Sequence, residues 1–183
     1  MKRLILFIML MSSLYAFDYD PKVYLGIGTG VQQENFIQNA KASNTPLFGT
    51  LKIGYGDIRA YSIELCINYI NNRSNIFSPN DQARYGMDVM FVKAYNFTDA
   101  FYPFVRAGFG AGEMKVQREL QSKLAYSSYN LGGGLSIPLN KHIAAEGSYE
   151  FRTTSYQSID LIAKKLKVKS HIHQFYIGLT YRF

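Results

Sequence analysis

The sequence predicts an all-β fold, an eight-stranded antiparallel transmembrane β-barrel with short periplasmic turns and long extracellular loops. Three observations support this prediction. Apolar residues alternate with small or polar residues along most of the chain, as in strands with one apolar face. The links between these runs are alternately short and long. Tyr and Phe lie near both ends of the apolar faces, where a barrel would meet two membrane interfaces.

The N-terminus precedes these runs and has the pattern of a secretory signal peptide. Lys2 and Arg3 form a short basic region, an apolar run follows, and small residues lead to a cleavage site after Ala16. The apolar run is too short to span a bilayer. We therefore expect residues 1–16 to be a signal peptide and residues 17–183 to be the barrel domain. Loss of the two cations lowers the formal net charge from +7 to +5.

The first four predicted strands each have an apolar face. These faces are Val23, Leu25, Ile27 and Val31; Leu47, Leu51, Ile53 and Tyr55; Tyr61, Ile63, Leu65, Ile67 and Tyr69; and Tyr85, Met87, Val89 and Phe91. The fourth run is the least regular, because Lys93 falls on its apolar face. We expect there either a β-bulge or a lysine whose ammonium group reaches the membrane interface.

The last four predicted strands repeat the pattern. Their apolar faces are Val105, Ala107, Phe109 and Ala111; Tyr129, Leu131, Leu135 and Ile137; Ile143, Ala145, Tyr149 and Phe151; and Phe175, Ile177, Leu179, Tyr181 and Phe183. The final run, residues 174–183, ends on an aromatic residue of the apolar face. Such an end suits a strand that closes a barrel in lipid, because closure removes the free edge.

The connections divide into two classes by length. The predicted short turns are residues 56–59, 96–100 and 138–142, and the long polar links are residues 32–46, 71–83, 113–124 and 153–169. Transmembrane barrels have short turns on the periplasmic side and long loops outside. Both ends of the barrel domain then lie on the short-turn side.

Charged residues fall on the face opposite the apolar one, in equal numbers of each sign. They are the cations Lys52, Arg106, Arg152 and Arg182 and the anions Glu64, Asp88, Glu146 and Glu150. An unpaired buried charge is very costly, and the lumen of an eight-stranded barrel is just wide enough for side chains to fill it. We therefore interpret the eight residues as a paired lumen charge network that plugs the barrel, and not as catalytic residues.

Three motifs carry a resemblance to a known family. Residues 101–110 read FYPFVRAGFG, residues 132–135 read GGGL, and the C-terminal run contains the set Tyr176, Gly178, Tyr181 and Phe183. These motifs resemble small eight-stranded members of the outer-membrane β-barrel (porin-like) family of Gram-negative bacteria. The resemblance implies a location in the cell outer membrane, and it implies that the terminal set is the signal read by the barrel assembly machinery. It implies no single activity, because that family includes pores, adhesins, enzymes and structural proteins.

Residues that could carry chemistry are few. Cys66 is the only cysteine, so no internal disulfide can form. His171 and His173 fall on one face, but no carboxylate or cysteine lies at ligand spacing, which favours rim histidines over a metal site. Barrel enzymes that deacylate lipid A place a His and a Ser two residues apart, whereas Ser170 is adjacent to His171 and faces the other way. We expect no catalytic, cofactor or metal site.

Four lysines make the last long link basic: Lys164, Lys165, Lys167 and Lys169. Two interpretations remain open, a solvated loop and a surface that contacts lipopolysaccharide phosphates or an acidic host or surface polymer. Residues 158–166 have a spacing that could form a short amphipathic helix. An outer-membrane location excludes nucleic acid as a partner.

The expected function is a non-enzymatic one, structural or in surface interaction, with the loops exposed to the exterior. The expected partners are outer-membrane lipid and lipopolysaccharide, the barrel assembly machinery, and host or surface polymers. The alternative is a narrow porin-like channel for small solutes, which would need a gap in the charged plug. A lipid-modifying barrel enzyme is the third class, and its catalytic spacing is absent.

Overall fold

Strands form all the regular structure in the part of the chain that is described. The structure, a computed structural model, describes residues 19–37, 43–72, 83–116, 123–157, 159–161, 164–166 and 168–183. The strands are β1 (Lys22–Phe36), β2 (Ser43–Asn44), β3 (Leu47–Gly56), β4 (Tyr61–Asn71), β5 (Arg84–Ala94), β6 (Tyr102–Lys115), β7 (Lys123–Pro138), β8 (Ile143–Tyr156), β9 (Ile159–Leu161), β10 (Lys164–Leu166) and β11 (Lys169–Arg182). Within these ranges no helix has the length and apolar character needed to cross a membrane. The predicted signal peptide lies outside the described residues.

Eight long strands close into one antiparallel barrel. Neighbouring strands follow the order β11-β8-β7-β6-β5-β4-β3-β1, and β1 also pairs with β11. This seam runs from the pair Tyr24–Arg182 to the pair Phe36–Ser170. Closure gives every long strand a partner on both sides, so the backbone groups of the barrel are satisfied within it. The predicted eight-stranded antiparallel barrel is confirmed.

Several strands run further toward the long connections than the sequence predicted. β1 reaches Phe36, β7 begins at Lys123, β8 reaches Tyr156, and β11 begins at Lys169. The outward residues in these extensions are mostly polar, because the barrel wall there extends past the membrane into water. The backbone pairing continues where the apolar alternation stops, so the alternation marks only the part of each strand that faces lipid.

The described residues of the last long connection form a hairpin where a helix was predicted. β9 pairs antiparallel with β10, with Lys165 opposite Asp160. The helical period rests on Ile159, Ile162 and Leu166, whereas Ile159 and Leu161 on either side of Asp160 fit the alternation of a strand. Pairing of the two segments satisfies their backbone groups across the hairpin. The predicted helix at residues 158–166 is therefore wrong.

The irregular fourth run forms β5 without a bulge. Its register with β4 is unbroken along the whole strand. Lys93 stays on the outward face, with Nζ 3.7 Å from the ring centroid of Tyr61 and 5.4 Å from that of Tyr95. The ammonium group therefore lies against aromatic rings at the short-turn end of the barrel, as a lysine that reaches the interface does.

The three short turns are each held by a side-chain oxygen. A carboxylate oxygen of Asp57, the hydroxyl of Thr98 and the amide oxygen of Asn140 each accept a hydrogen bond from the backbone N–H two residues further along. Side chains of this kind close tight turns by replacing a backbone acceptor. Gly56, just before the first turn, has a φ of 141°, which residues with a Cβ rarely adopt.

The two faces of the wall differ in the way the predicted alternation requires. Large apolar side chains on the outward face are exposed, as a lipid-facing surface must be. Tyr55, Tyr181 and Phe183 lie outward near the short turns, while Tyr69 and Tyr129 lie outward toward the long connections. These are the positions of two aromatic girdles.

Inward side chains fill the barrel in layers. An apolar cluster near the long connections comprises Met114, Val116, Leu124, Tyr126, Tyr156 and Val168, with Phe36 packed against it. A middle cluster comprises Phe48, Ile70 and Tyr176. A third cluster, near the short turns, comprises Ala94, Tyr102 and Phe104, with Val92 packed against it. The charged residues lie among these layers.

Candidate functional site

Most of the predicted lumen charges face a glycine on a neighbouring strand. The opposing pairs are Lys52–Gly26, Glu64–Gly54, Asp88–Gly110, Arg106–Gly132, Glu146–Gly178 and Glu150–Gly132. Arg152 instead faces Asn130 and Ile172. A Cβ on Gly26 would lie 2.5 Å from Cε of Lys52, so the missing side chain makes room for the long charged one.

Two lumen cations each bridge two carboxylates, and these carboxylates belong to other strands than the cation. Nζ of Lys52 lies 3.2 Å from Oε1 of Glu64 and also contacts Oε2 of Glu146. Arg106 pairs with Glu146 at 3.4 Å through Nη1 and with Glu150 at 3.1 Å through Nε. None of these side chains is more than 9% exposed, so each charge depends on its partners and not on water.

Arg152 extends the same network toward the long connections. Its Nη2 lies 2.6 Å from Oδ2 of Asp88 and 3.3 Å from Oε1 of Glu150. Because Glu150 contacts both Arg106 and Arg152, seven of the predicted charges form one continuous network. We call this set, Lys52, Glu64, Asp88, Arg106, Glu146, Glu150 and Arg152, the lumen network.

Neutral donors support the carboxylates, which outnumber the cations of the lumen network by four to three. The hydroxyl of Tyr24 donates a hydrogen bond of 2.8 Å to Oε1 of Glu64. The amide of Asn68 donates one of 2.6 Å to Oδ2 of Asp88. Such bonds to charged acceptors are stronger than neutral ones, so they offset part of the excess negative charge.

Arg182 does not join the lumen network, which corrects its predicted role there. Its Nη2 lies 2.9 Å from a carboxylate oxygen of Asp20 and donates a bond of 2.6 Å to the backbone oxygen of that residue. The side chain of Asp20 is 50% exposed. Arg182 lies at the end of β11, where the lumen opens, so it holds the segment before β1 against the closing strand.

A second buried ion pair near the long connections was missed by the sequence analysis. Nη2 of Arg84 lies 2.8 Å from Oε2 of Glu34, and neither side chain is more than 1% exposed. The hydroxyls of Tyr156 and Ser170 donate bonds of 2.7 and 2.6 Å to Oε1 of Glu34. The alternation could have found Glu34, because Gly30, Gln32 and Glu34 are successive positions on the inward face of β1.

Little empty volume remains around the lumen network. Two cavities of about 20 Å³ each border Lys52. One also borders Tyr24 and Glu64, and the other borders Asp88 and Arg152. A cavity of this volume holds about one water molecule. Ion-paired side chains therefore occupy the middle of the barrel.

The four residues of the predicted assembly signal divide between the two faces of β11. Tyr176 is buried in the lumen, with its ring centroid 5.9 Å from Nζ of Lys52. Gly178 also faces inward, and a Cβ there would clash with the hydroxyl of Tyr176. Tyr181 and Phe183 face outward, with ring centroids 5.2 Å apart in an edge-to-face arrangement. The motif therefore contributes to both the plug and the aromatic girdle.

Three of the four lysines of the predicted basic loop are among the described residues. Lys164 and Lys165 belong to β10, and Lys169 begins β11 with an exposed side chain. Lys167 lies outside the described residues. The described lysine positions therefore lie on the last connection, at the end of the barrel opposite the short turns.

His171 and His173 lie on the outward face of β11. Nδ1 of His173 shares a hydrogen bond of 2.6 Å with the hydroxyl of Tyr149, and Nδ1 of His171 shares one of 3.3 Å with the hydroxyl of Thr153. The ring of Phe151 lies 5.3 Å from each imidazole. Over the described residues, the structure contains no group of three or more His, Cys, Asp or Glu side chains that could hold a metal ion.

Comparisons with known proteins point to one kind of protein. A family model described as "Outer membrane protein beta-barrel domain" matches residues 4–183. Neisserial surface protein A has a similar structure, with a TM-score of 0.69 at 12% identity over 90% of this chain and 99% of that one.

Two further solved structures share the fold at lower TM-scores. One is Ail, the attachment invasion locus protein of Yersinia pestis, in complex with the heparin analogue sucrose octasulfate: TM-score 0.54, 18% identity, 88% of this chain and 99% of that one. The other is OprG from Pseudomonas aeruginosa, with a TM-score of 0.52 at 16% identity over 89% of this chain and 95% of that one. A search of curated protein sequences gave no match.

Proposed function

Because this chain belongs to the outer membrane protein beta-barrel domain family, we propose that it is a closed, non-enzymatic outer-membrane barrel with a structural or surface-interaction role. The lumen network carries this proposal, because its paired side chains fill the middle of the barrel and leave cavities of about 20 Å³. The long connections share one end of the barrel, the end that faces outward in this class of protein. Recognition then belongs to those connections.

The basic last connection is the proposed contact surface for an acidic partner. Its cations, Lys164, Lys165, Lys167 and Lys169, lie within six consecutive residues. A positive surface of this density attracts the phosphates of lipopolysaccharide or the acidic groups of a host or surface polymer. The complex of Ail with a heparin analogue supports the idea that a barrel of this fold can hold a polyanion.

Binding to polyanions tests this surface. We expect replacement of the four lysines by Gln to weaken binding to heparin and to lipopolysaccharide, and the loss to be largest at low salt, because exposed charges are screened. The matched control replaces Lys115 and Lys123, which end β6 and begin β7 at the neighbouring long connection. Unchanged binding by the fourfold variant would remove the electrostatic proposal.

A narrow channel is the second candidate, and one observation favours it. Both small cavities border Lys52, so displacement of that single side chain would join them. Single-channel recording in planar bilayers separates the two candidates. We expect the wild type to give no stable openings and the Lys52→Ala variant to give stable openings. Stable openings of the wild type would overturn the closed barrel.

A further inference from the structure

The outward wall formed by β7, β8, β11 and β1 contains a groove. Two adjoining cavities on this wall measure about 560 and 760 Å³ and share Leu135, Gly147 and Ile177, so they form one continuous depression. Gly133, Ala145 and Gly147 form its floor, where the wall has its smallest side chains. Leu135 and Ile177, on the strands either side of Gly147, form its walls.

Packing inside the barrel does not require a glycine at position 147. A Cβ built on Gly147 would meet no atom within 4 Å, whereas one built on Gly28 would clash with the ring of Tyr176. Glycine inside a strand costs roughly 0.5–1 kcal/mol relative to alanine, and it often marks close approach by a ligand. The missing side chain at Gly147 therefore leaves the groove open to a chain that approaches from outside the wall.

Hydrogen-bond donors lie above this groove on the same face. β11 presents Lys169, His171 and His173 outward in succession, on the side of the groove nearer the long connections. The hydroxyls of Tyr149 and Thr153 engage Nδ1 of the two imidazoles. Nε2 of each ring makes no hydrogen bond to the described residues. When the hydroxyls of Tyr149 and Thr153 donate to Nδ1, Nε2 carries the ring hydrogen and can donate it to a ligand.

The wall around the two histidines carries no competing carboxylate among the described residues. The outward positions of β8, β11 and β1 above Gly147 are Tyr149, Phe151, Thr153, Ser155, Phe175, His173, His171, Lys169, Val31, Gln33 and Asn35. Glu34 and Glu150 belong to the same strands but are buried in the lumen. An anionic group at His171 and His173 would therefore meet donors and no like charge.

The span from His173 to the far end of the groove at Leu179 matches one leaflet of a bilayer. Six residues separate His173 from Leu179, about 20 Å along a tilted strand at about 3.3 Å per residue. The hydrocarbon core of a bilayer is about 30 Å thick, so half of it is about 15 Å. The groove therefore begins at the aromatic girdle near Tyr149 and ends close to the middle of the membrane.

We propose that this wall binds one phosphorylated glycolipid of the outer leaflet. Its phosphate lies at His171 and His173, and one acyl chain lies in the groove over Gly147. The end of the groove near the long connections faces outward, which places the head group in the outer leaflet. The site goes beyond the proposed surface role and does not depend on it, because its phosphate contacts, His171 and His173, belong to the strand wall and not to the set of four lysines.

Filling the groove tests the acyl-chain half of the site. Diphosphorylated lipid A is added to the folded protein in detergent micelles, and native mass spectrometry counts the retained lipid. We expect Gly147→Leu to lower retention about tenfold. Gly49→Leu is the matched control. Gly49 pairs with Thr29, Thr29 pairs with Ile177, and Ile177 pairs with Gly147, so Gly49 lies in the same row of cross-strand pairs as Gly147. A Cβ on Gly49 would meet only one atom, at 3.9 Å. Equal retention by both variants would overturn the proposal.

Removal of the imidazoles tests the head-group half. We expect the double variant His171→Leu and His173→Leu to lower retention about tenfold through the loss of donors to phosphate. Lys93→Leu, on β5 at the short-turn end of the barrel, is the control and is expected to keep full retention. The lysines of the last connection stay unchanged throughout, so failure of this site and failure of the proposed surface role give different results.

Each variant is first shown to be folded by the shift in gel migration that folded barrels show without boiling. Ala145→Leu, which fills the same groove from a neighbouring floor position, replaces Gly147→Leu if that variant does not fold. Phosphatidylglycerol is tested beside lipid A. Equal retention of the two lipids by the wild type would overturn the assignment to a glycolipid.

Discussion

Every charge of the lumen network except Arg152 faces a glycine on a neighbouring strand, and each is paired with an opposite charge on a different strand. Arg106 shows both, because it faces Gly132 on β7 and reaches Glu146 and Glu150 on β8. Loss of one partner in a buried set leaves the others without compensation, whereas an exposed pair is compensated by water. The residues of the network are therefore coupled energetically.

We expect Arg106→Met to lower the free energy of unfolding by about 3–5 kcal/mol, because two buried carboxylates lose a cation. Lys123→Met is the control, since the pair of Lys123 with Glu113 is exposed, and its loss is expected to cost less than about 1 kcal/mol. Urea titration of the protein folded in micelles measures both changes. Losses of equal size would contradict the coupled network.

Asp57 is a buried carboxylate in the turn between β3 and β4, outside the membrane-spanning strands. Burial alone would raise the pKa of its carboxyl group. Hydrogen bonds from the side chain and the backbone N–H of Arg59 and from the backbone N–H of Asp20 hold this pKa below its ordinary value. A lowered folded-state pKa stabilises the fold above the unfolded pKa of about 3.9, and the stabilisation is lost as pH falls through the folded value.

We therefore expect Asp57→Asn to be less stable than the wild type at neutral pH, and the difference to shrink below about pH 4 as the wild-type carboxylate is protonated. Asp99→Asn, at an exposed position in the next short turn, is the matched control. Urea titrations at pH 7 and pH 3 measure the effect. A difference as large at pH 3 as at pH 7 would show that the charge of Asp57 is not responsible.

Side chains alternate between the two faces of a strand, and for that reason seven of the eight predicted lumen charges could be found from the sequence. The alternation does not show how far along the barrel axis a residue lies. Arg182 occupies an inward position of the alternation but lies at the strand end, where Asp20 is its partner. Glu34 and Arg84 also occupy inward positions, but they lie beyond the apolar runs that defined the predicted strand ends.

Backbone pairing determines where a strand ends, whereas the apolar alternation in the sequence extends only as far as the strand faces lipid. All eight barrel strands could therefore be predicted, but not their ends near the long connections, because the outward residues there face water. The same limit explains the helix wrongly predicted at residues 158–166. A short segment in water has no lipid-facing side to separate a helical period from an alternating one.

β11 is both the closing strand and the carrier of the terminal motif, so its last residue is expected to matter for assembly. Deletion of Phe183 removes the ring that packs on Tyr181 and the backbone N–H that bonds to the oxygen of Val23 at 3.1 Å. We expect less folded protein in the outer membrane, measured by gel migration without boiling. Phe97→Ala, which removes another exposed ring from the turn before β6, is expected to assemble normally. Normal insertion of the deletion variant would show that the motif is not an assembly signal.

The barrel as a whole presents one apolar band to the membrane, and the depth of a residue in this band sets the cost of a charge. We expect Leu51→Arg, in the middle of the band, to cost about 2–4 kcal/mol, and Val23→Arg, near the short-turn rim, about 0–1 kcal/mol. Equilibrium unfolding from phospholipid vesicles measures both costs. Similar costs would show that the band is placed at the wrong depth.

The lumen network also bears on the timing of membrane insertion. Lys52 lies 12 residues before Glu64 but 94 residues before Glu146, and Asp88 lies 64 residues before Arg152. A chain exported from its N-terminus thus carries unpaired charges on its inner face until β8 has arrived. A half-built barrel would expose those charges to hydrocarbon, so insertion strand by strand is disfavoured. The arrival of the C-terminal strand then completes the wall at a point when every charge already has its partner.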